Sequence, residues 1–160
     1  RGVAVIMAEP RDAQSLDNIL NLSEVVESSL LGCLAECLNA EICNGMVTSV
    51  ESAMRWLQTT YLWTRVMKNP AHYGVPYEHS MNGPVTIATW LQEVVLGGTV
   101  KNLIDRGMAA TDDLGIALAS TTPGILMAEN YVRLETMSLI VGLGSKATME
   151  DFAWVVCSSV

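Results

Sequence analysis

Two histidines and four cysteines are the residues of this sequence whose chemistry suits catalysis or metal binding. His72 and His79 lie in a stretch rich in proline and glycine, where an imidazole ring can act as a base or a ligand. No serine or cysteine with the pattern of an activated nucleophile accompanies them. We therefore interpret both histidines as exposed loop residues.

The cysteines do not form a zinc-binding pattern. Cys33, Cys37 and Cys43 are spaced C-x3-C-x5-C, Cys157 is remote, and no histidine lies near the first three. Cys33 and Cys37 fall on the apolar face of a predicted helix, which favours buried free thiols in a reducing compartment. A cysteine-dependent enzyme that pairs Cys33 or Cys43 with His72 is an alternative, but it needs a perturbed thiol pKa that nothing in the sequence indicates.

Two further patterns match catalytic motifs only in part. The segment GLGSK at 142–146 has the residues of a phosphate-binding loop, but the order G-x-x-x-x-G-K-[ST] is missing and a predicted helix precedes it where a strand is required. Carboxylates along the first helices are conceivable as a glycosidase pair, although a solvated helix face explains them better; they are Glu24, Glu27, Glu36 and Glu41. The sequence predicts no catalytic residue, no cofactor-binding residue and no metal ligand.

The aromatic and basic residues are the candidates for nucleic-acid contact. Trp56, Tyr61 and Trp63 can stack on bases, but at helical spacing among leucines they are interpreted as core. The candidate phosphate contacts are scattered: Arg55, Arg65, Lys68, Lys101, Arg106 and Arg133. A net charge of −8 argues against a free-standing nucleic-acid binder, because phosphate contacts need clustered lysine and arginine.

The first elements read as a strand followed by helices. Residues 3–7 form a short apolar run, too short for a signal peptide or a membrane span, and typical of a strand buried on both faces of a parallel sheet. Asp12 is expected to cap a short helix after it. A second helix is predicted over 28–42, and a third from a capping box of Thr48 and Glu51 to Pro70, with Glu51 and Arg55 one turn apart.

The second half reads as short helices separated by loops. An exposed irregular connector is expected over 70–84, then a helix over 85–96 that Gly97 and Gly98 end, and a short helix from Thr99 to Gly107. The turn-like segment 111–115 suits a helical DNA-binding module with a shrunken wing. Pro123 and Gly124 are expected to break the chain before one helix that carries Leu126, Tyr131, Leu134, Met137 and Leu139.

The last helix is predicted to start at a capping box formed by Thr148 and Asp151. Because the sequence has 50% hydrophobic and only 16% charged residues, part of its apolar surface is expected to meet neighbours. It begins with Arg1 and ends with Val160, which we interpret as an internal piece of a larger protein.

Several segments together resemble a known family. They are VESSL at 26–30, LNAEI at 38–42, TSVESAMRWL at 48–57, TYL at 60–62 and KNPAHYG at 68–74. In this order and spacing they resemble the region after the second RecA-like domain of Ski-like superfamily 2 DExH-box helicases. Residues 2–7 resemble the closing strand of that domain, 111–115 the T-x-L-G turn ending the winged helix, and 131–137 the stretch leading into the helical ratchet domain.

The resemblance implies a mainly α chain with three parts. Residues 1–22 would end the second RecA-like domain, 23–122 would form the winged-helix domain, and 123–160 would start the Sec63-like ratchet domain. The winged helix would dock on the RecA-like and ratchet domains; the candidate docking residues are Leu38, Asn39, Glu41, Trp56, Leu57, Tyr61 and Trp63.

The same resemblance implies the activity of the parent protein. It would be a nuclear, ATP- and Mg²⁺-dependent helicase that moves 3′ to 5′ along a nucleic acid, which is expected to be DNA and not RNA. Within it, this segment would be a non-catalytic scaffold without membrane contact. Thr136 and Met137, with the helix at 147–157, most resemble the meiotic crossover helicases. The alternatives are a spliceosomal or transcription-coactivator type of the same family, and a stand-alone helical protein-interaction module.

The sequence departs from the family pattern at three places. Cys37 stands where the family commonly has histidine, and Ile116 stands where an arginine often follows the L-G turn. The segment 119–130 fits poorly. A local phosphate or interdomain contact at the wing is therefore in doubt.

Overall fold

The computed structural model describes residues 2–21, 25–144 and 147–158, and these form a mainly helical molecule. The helices are α1 Pro10–Leu20, α2 Leu34–Cys43, α3 Val50–Thr59, α4 Tyr61–Lys68, α5 Tyr77–Met81, α6 Pro84–Trp90, α7 Gly97–Asp105, α8 Thr122–Glu129, α9 Leu134–Gly142 and α10 Met149–Ser158. Short 3-10 helices precede α2 and follow α4, at Leu30–Cys33 and Pro70–Tyr73. The strands are β1 Ala109–Thr111 and β2 Leu118–Ser120.

Helix α2 lies at the centre of the packing. Its residues Leu34, Leu38 and Ile42 are buried, and it contacts α7, α8 and β2. Strands β1 and β2 pair antiparallel, and the bridge between Ser49 and Ala117 joins the segment before α3 to the far edge of this hairpin. Helices followed by a two-stranded hairpin that pairs back to an early segment form a winged helix, so the predicted fold class is confirmed.

The N-terminal strand prediction is wrong. Residues 3–7 form no strand, and Val3 and Met7 are 92% and 95% exposed. A buried strand needs neighbours on both edges, and the described residues place no strand beside this one. Helix α1 begins after Glu9, with Pro10 in its first turn, so Asp12 lies inside the first turn and is not the cap.

The helix predicted from residue 48 to Pro70 is two helices. The capping box is formed by Ser49 and Ser52 and not by Thr48 and Glu51: the Ser52 amide donates to the Ser49 Oγ at 3.1 Å, and the Ser49 amide donates to the Ser52 Oγ at 2.9 Å. Thr60, with ψ 159°, ends α3 and caps α4. The predicted pair of Glu51 and Arg55 is present, with Nη2 3.7 Å from Oε1.

The connector at 70–84 is mostly exposed, as predicted, but the prediction that it is irregular is wrong. It contains the Pro70–Tyr73 turn and α5, and Tyr73 and Val75 are buried in the core. An aromatic ring and a β-branched side chain in a proline-rich stretch can be held by tertiary packing, which local turn signals do not reveal.

The two glycines at 97 and 98 do not end a helix. The chain runs from α6 through a π-helical segment, Leu91–Leu96, directly into α7. Burial of Leu91 and Leu96 on this long helix outweighs the low helix propensity of the glycines. Thr99 does not cap α7; its hydroxyl donates to the Val95 carbonyl at 2.7 Å. Gly107 ends the helix with φ +75°, as predicted.

The segment after the hairpin also differs from its prediction. A helix begins at this point, as predicted, but Pro123 and Gly124 belong to its first turn and do not precede it, since the missing amide of proline costs nothing there. The predicted single helix is divided into α8 and α9 at Tyr131. The predicted box before α10 is confirmed, since the Asp151 Oδ2 accepts from the Thr148 amide at 2.8 Å and the Thr148 hydroxyl accepts from the Asp151 amide at 3.3 Å.

Helices α8 and α9 share the core of the winged helix. Met127, Leu134 and Met137 are buried in the same cluster as α2. The domain boundary after residue 122 therefore stays a prediction drawn from the family, and no packing gap marks it here. Within the described ranges, no helix reaches the length and apolarity that a membrane crossing requires.

The backbone of α8 passes close to its neighbours at Gly124. A Cβ built on this glycine would overlap the Met108 carbonyl oxygen and would lie 2.9 Å from the Asn39 Oδ1. We expect Gly124→Ala to lower the free energy of unfolding by about 2 kcal/mol or more, because α8 must move away from β1 and α2.

Gly98→Ala is the matched control for Gly124→Ala. Gly98 also lies in a helix, and nothing lies within 4 Å of its built Cβ. This substitution should raise the free energy of unfolding by about 0.5 to 1 kcal/mol. Urea denaturation of both variants measures the difference, and equal effects would contradict the steric argument.

Candidate docking surfaces and the Glu27 cluster

Four hydrogen bonds reach the carboxylate of Glu27. The Arg65 guanidinium donates to it twice, from Nε at 3.0 Å and from Nη2 at 2.9 Å. The Asn69 Nδ2 and the Tyr73 hydroxyl each donate to it at 2.8 Å. Both carboxylate oxygens are therefore occupied by donors from α4 and the Pro70–Tyr73 turn.

Backbone bonds extend this cluster along the segment 25–29. The Ser28 amide donates to the Tyr73 Oη at 2.7 Å, and the Tyr61 hydroxyl donates to the Val26 carbonyl at 2.8 Å. We call this set of contacts the Glu27 tether. It holds an extended segment without helix or strand against α4.

Ionisation of Glu27 is strongly favoured in the folded state. The hydrogen bonds from Arg65, then those from Asn69 and Tyr73, hold the pKa of Glu27 well below its usual range, although partial burial opposes the shift. Burial, and then the Glu27 carboxylate, raise the pKa of Tyr73. The expectation that Glu27 belongs to a solvated helix face is wrong, because this residue lies before the first turn of α2 and is enclosed by donors. Glu24 lies outside the described residues.

The six candidate phosphate contacts differ in their hydrogen bonds and in their exposure. Arg65 is committed to Glu27, with a side chain 11% exposed, so the structure contradicts its assignment as a phosphate contact. Arg106 donates to the Asn102 Oδ1 at 2.9 Å and to the Ser138 Oγ at 3.2 Å. Asn102 also lines a cavity with Arg133, so the structure brings Arg106 and Arg133 to one region between α7 and α9. The remaining candidates, Arg55, Lys68 and Lys101, are exposed.

The surface that a winged helix usually presents to DNA carries little positive charge here. The helix before the hairpin, α6 to α7, exposes Lys101 together with Glu93 and Asp105. At the wing, the Asp112 Oδ1 accepts from the amides of Ile116 and Ala117 at 2.7 and 3.0 Å. Ile116, at 63% exposed, stands where the family often has arginine. Phosphate attraction at this surface is weak because two exposed carboxylates accompany the one lysine named on this helix.

Three of the predicted docking residues are core residues. Leu38, Asn39 and Leu57 are fully buried inside this domain, so they cannot form a surface for a neighbouring domain, and that assignment is wrong. The Asn39 Nδ2 donates to the Gly124 carbonyl at 2.8 Å, while its Oδ1 has no hydrogen-bond partner among the described residues. This asparagine ties α2 to α8.

The other four docking candidates reach the surface to different degrees. Trp56 and Trp63 are half-buried and pack against the core, as interpreted from the sequence. For Tyr61 the core interpretation is wrong, because this side chain is 53% exposed. Glu41 is half-buried, and Tyr61 is exposed but holds the Val26 carbonyl. Their role in docking stays a prediction.

A groove lies between α2 and α8. One part has a volume of about 270 Å³ and is lined by Cys37, Ala40, Met127 and neighbouring residues. A second part of about 380 Å³ shares Ala40 with it and reaches Cys43. We call these two parts the α2–α8 groove.

The thiols of this groove are held in the neutral form. Burial, and then the neighbouring Cys33 thiol, raise the pKa of Cys37 to about 11. Burial, and then the charge of Glu129, raise the pKa of Cys43. A raised pKa opposes the cysteine-enzyme alternative at Cys43. The prediction that Cys33 is buried is wrong, because this thiol is exposed at the start of α2.

The remaining candidates for chemistry find no partners that would activate them. His72 is exposed beside the Tyr73 ring, as predicted. The prediction of an exposed loop residue is wrong for His79, which is half-buried in α5 with its Nδ1 3.3 Å from the Thr86 carbonyl oxygen. In the described ranges no three His, Cys, Asp or Glu side chains come together as a metal site. Ser145 and Lys146 of the GLGSK segment lie outside the described residues, but a helix, α9, leads into it.

Tyr131 was missed as a special position. It has φ +53°, the one positive value at a described non-glycine residue, and it is 95% exposed. The Val132 amide donates to the Met127 carbonyl at 3.0 Å, which is the helix-ending motif that normally places glycine at position 131. Asn130 before it, a common helix-ending residue, is the only signal in the sequence.

Comparison with known proteins agrees with this geometry. A family model described as a winged helix-turn-helix domain matches residues 27–95. A protein named ATP-dependent DNA helicase MER3 homolog, from Oryza sativa subsp. japonica, is 35% identical over 158 residues, which is 99% of this chain. The probable ATP-dependent DNA helicase HFM1 of Homo sapiens is 34% identical over 157 residues, 96% of this chain. The chain belongs to the Ski-like helicase family.

This helicase-family chain spans a small part of its relatives. It covers 13% of the Oryza sativa protein and 10% of the human protein. The U5 small nuclear ribonucleoprotein 200 kDa helicase of Caenorhabditis elegans is 34% identical over 134 residues, 84% of this chain and 6% of that protein.

The Glu27 tether of this helicase-family chain predicts a pH dependence. Because the pKa of Glu27 in the folded state lies below its ordinary value of 4.5, its stabilising contribution is complete above about pH 4.5 and is lost as the pH falls below that value. Glu27→Gln should lower the thermal midpoint at pH 7 and flatten its decline below pH 4.5.

Exposed Glu51, paired with Arg55 at 3.7 Å, is the control carboxylate for that experiment. Glu51→Gln should keep the acid decline of the unmodified protein, since a solvated pair contributes little. Thermal scans from pH 3 to pH 7 distinguish the two variants, and a Glu27→Gln profile parallel to that of the unmodified protein would contradict the argument.

Strain at Tyr131 can be relieved by substitution. We expect Tyr131→Gly to raise the free energy of unfolding by about 1 kcal/mol, because the left-handed conformation costs an L-residue more than it costs glycine. Tyr131→Ala removes the exposed ring but keeps the strain, so it should be nearly neutral. Chemical denaturation measures both, and a loss of stability in Tyr131→Gly would show that the ring makes a stabilising contact.

Proposed function

We propose that this chain is the winged-helix region of an ATP-dependent DNA helicase of the meiotic crossover type. The observation that carries the proposal is the extent of similarity: the MER3 and HFM1 relatives align over 99% and 96% of the chain. Similarity to the U5 helicase stops at 84%. The spliceosomal type of the same family is the second candidate.

The role of the region is structural, and it acts as a scaffold for neighbouring RecA-like and ratchet domains around the translocating strand. Support comes from the acidic and apolar character of the wing, and from the commitment of Arg65 to Glu27. The wing therefore offers no cation to a phosphate among the residues described, and Arg65 is already paired with a carboxylate. Exposed apolar side chains on α10, Phe152 at 49% and Trp154 at 59%, suit contact with a neighbouring domain.

The parent protein would take ATP and Mg²⁺ and act in the nucleus on DNA in preference to RNA. Translocation would run 3′ to 5′, and the winged helix would hold the ratchet domain in place while the RecA-like pair closes and opens. Two of the candidate phosphate contacts, Arg106 and Arg133, would act from one region, since Arg106 donates to Asn102 and Arg133 lines a cavity with it.

Two measurements test the proposal. The purified 160-residue chain should hydrolyse no ATP above the buffer rate, because its residues include no complete phosphate-binding loop. The full-length protein should separate a DNA duplex with a 3′ single-stranded tail and fail with a 5′ tail. Unwinding of RNA duplexes alone would favour the spliceosomal type, and ATP hydrolysis by the chain itself would overturn the scaffold role.

A further inference from the structure

We infer that the α2–α8 groove binds an amphipathic helix whose apolar side chains are flanked by lysine or arginine. The partner is a protein segment, and the inference does not depend on the helicase activity proposed above. Three features of the groove carry it: the floor, the charge at the rim and the conformation of Tyr131.

The floor of the groove follows the axis of α2. Cys37, Ala40 and Cys43 are three residues apart along this helix, so they form one stripe that rises about 9 Å at 1.5 Å per residue. Ala40 and Ala128 lie where the two parts of the groove meet. Small side chains at the centre of a crossing allow another helix backbone to approach closely. Because their pKa values are raised, both thiols present neutral, weakly polar surface.

The rim of the groove is acidic. Glu36 and Glu129 line its two parts, and Glu41 lies close enough to act on the Cys37 thiol. No lysine or arginine lines either part. The Glu36 Oε1 already accepts from the Leu134 amide at 3.1 Å. Glu129 lines the groove without a hydrogen bond to its carboxylate among the described residues, and Glu41, next to Ala40 on α2, adds a second negative charge. Charge complementarity therefore selects a cationic segment over an acidic one.

Tyr131 lines both parts of the groove, as Ala40 and Ala128 do. Its ring is 95% exposed although its backbone adopts the left-handed conformation that favours glycine. Because the ring is exposed, packing within this chain does not offset the conformational cost of a tyrosine at this position. A partner helix would cover the ring, and tyrosine is among the residues that contribute most to protein interfaces.

The charge at the rim favours a basic protein helix over two other possible occupants, single-stranded DNA and a second copy of this chain. Single-stranded DNA would be repelled by the three carboxylates. A second copy of this chain would bring its own acidic groove or its net charge of −8 against the rim. Neither has the charge that the rim attracts.

The cysteines of the chain report on the groove. Cys37 and Cys43 lie inside it, and the exposed Cys157 on α10 serves as an internal reference. We would treat the purified protein with N-ethylmaleimide and follow each thiol by peptide-resolved mass spectrometry. The probe is a synthetic amphipathic helix with leucines at three- and four-residue spacing and flanking lysines, and the control peptide has glutamate in place of each lysine.

The lysine peptide should slow labelling of Cys37 and Cys43 about fivefold at a peptide concentration of about four times its Kd, since protection grows as one plus that ratio. Labelling of Cys157 should not change. Equal protection by the glutamate peptide, equal protection of Cys157, or no protection at saturating peptide would overturn the inference. Protection by single-stranded DNA, or by raising the protein concentration without peptide, would overturn it as well.

Variants separate binding from folding. Glu129→Gln and Tyr131→Gly should each weaken protection at fixed peptide concentration, and Glu150→Gln on α10 should leave it unchanged. Each variant is compared with and without peptide, because removal of Glu129 also changes the pKa of Cys43. Tyr131→Gly is informative because it is expected to keep the fold intact. Full protection in both groove variants would show that the groove does not hold the peptide.

Discussion

The approach of α8 to the hairpin and to α2 is the constraint on which the other helix positions depend. At Gly124 the backbone of α8 passes against the Met108 carbonyl, and the Asn39 amide holds the Gly124 carbonyl at 2.8 Å. The Thr121 hydroxyl caps α8 and donates to the Met108 carbonyl at 2.9 Å. The close approach at Gly124, the hydrogen bond from Asn39 and the cap at Thr121 together fix the position of α8. The α2–α8 groove and the start of α9 follow from that placement, since Glu36 of α2 binds the first amide of α9.

A buried asparagine at this junction favours one arrangement over others. Asn39 satisfies its amide donor but leaves Oδ1 without a partner among the described residues, and an unpaired buried acceptor costs free energy. An apolar residue would avoid that cost but would not distinguish the Gly124 carbonyl from any other contact. The position of α8 is thus specified by a polar contact inside an otherwise apolar core.

The sequence predicted the parts of the fold that depend on local patterns. The helical character, the wing-like turn, the stop at Gly107 and the box at Thr148 and Asp151 are confirmed because each depends on residues a few positions apart. Tertiary packing decided the rest. Gly97 and Gly98 continue a helix because Leu91 and Leu96 are buried on it, and Tyr73 is buried in a stretch that reads as a loop.

Long-range polar partners were equally invisible in the sequence. Arg65 lies 38 positions from Glu27, so no spacing rule joins them, and Arg65 read as a free cation. The docking prediction for Leu38 and Leu57 rests on a family motif. Such a motif contains core residues as well as surface residues and does not tell them apart. The groove could not be foreseen, because it needs α2 and α8 to lie side by side, and their contact joins residues 85 positions apart.

The Glu27 tether has a mechanical consequence. The bonds from Arg65, Asn69, Tyr73 and Tyr61 to the segment 25–29 all lie within a few residues of one another along the chain. A force applied to this segment from its N-terminal side would therefore be shared by all of these hydrogen bonds at once, and they would not break one after another. The chain would then behave as a stiff joint up to a threshold force, and motion of whatever precedes residue 25 would reach α4 with little slack.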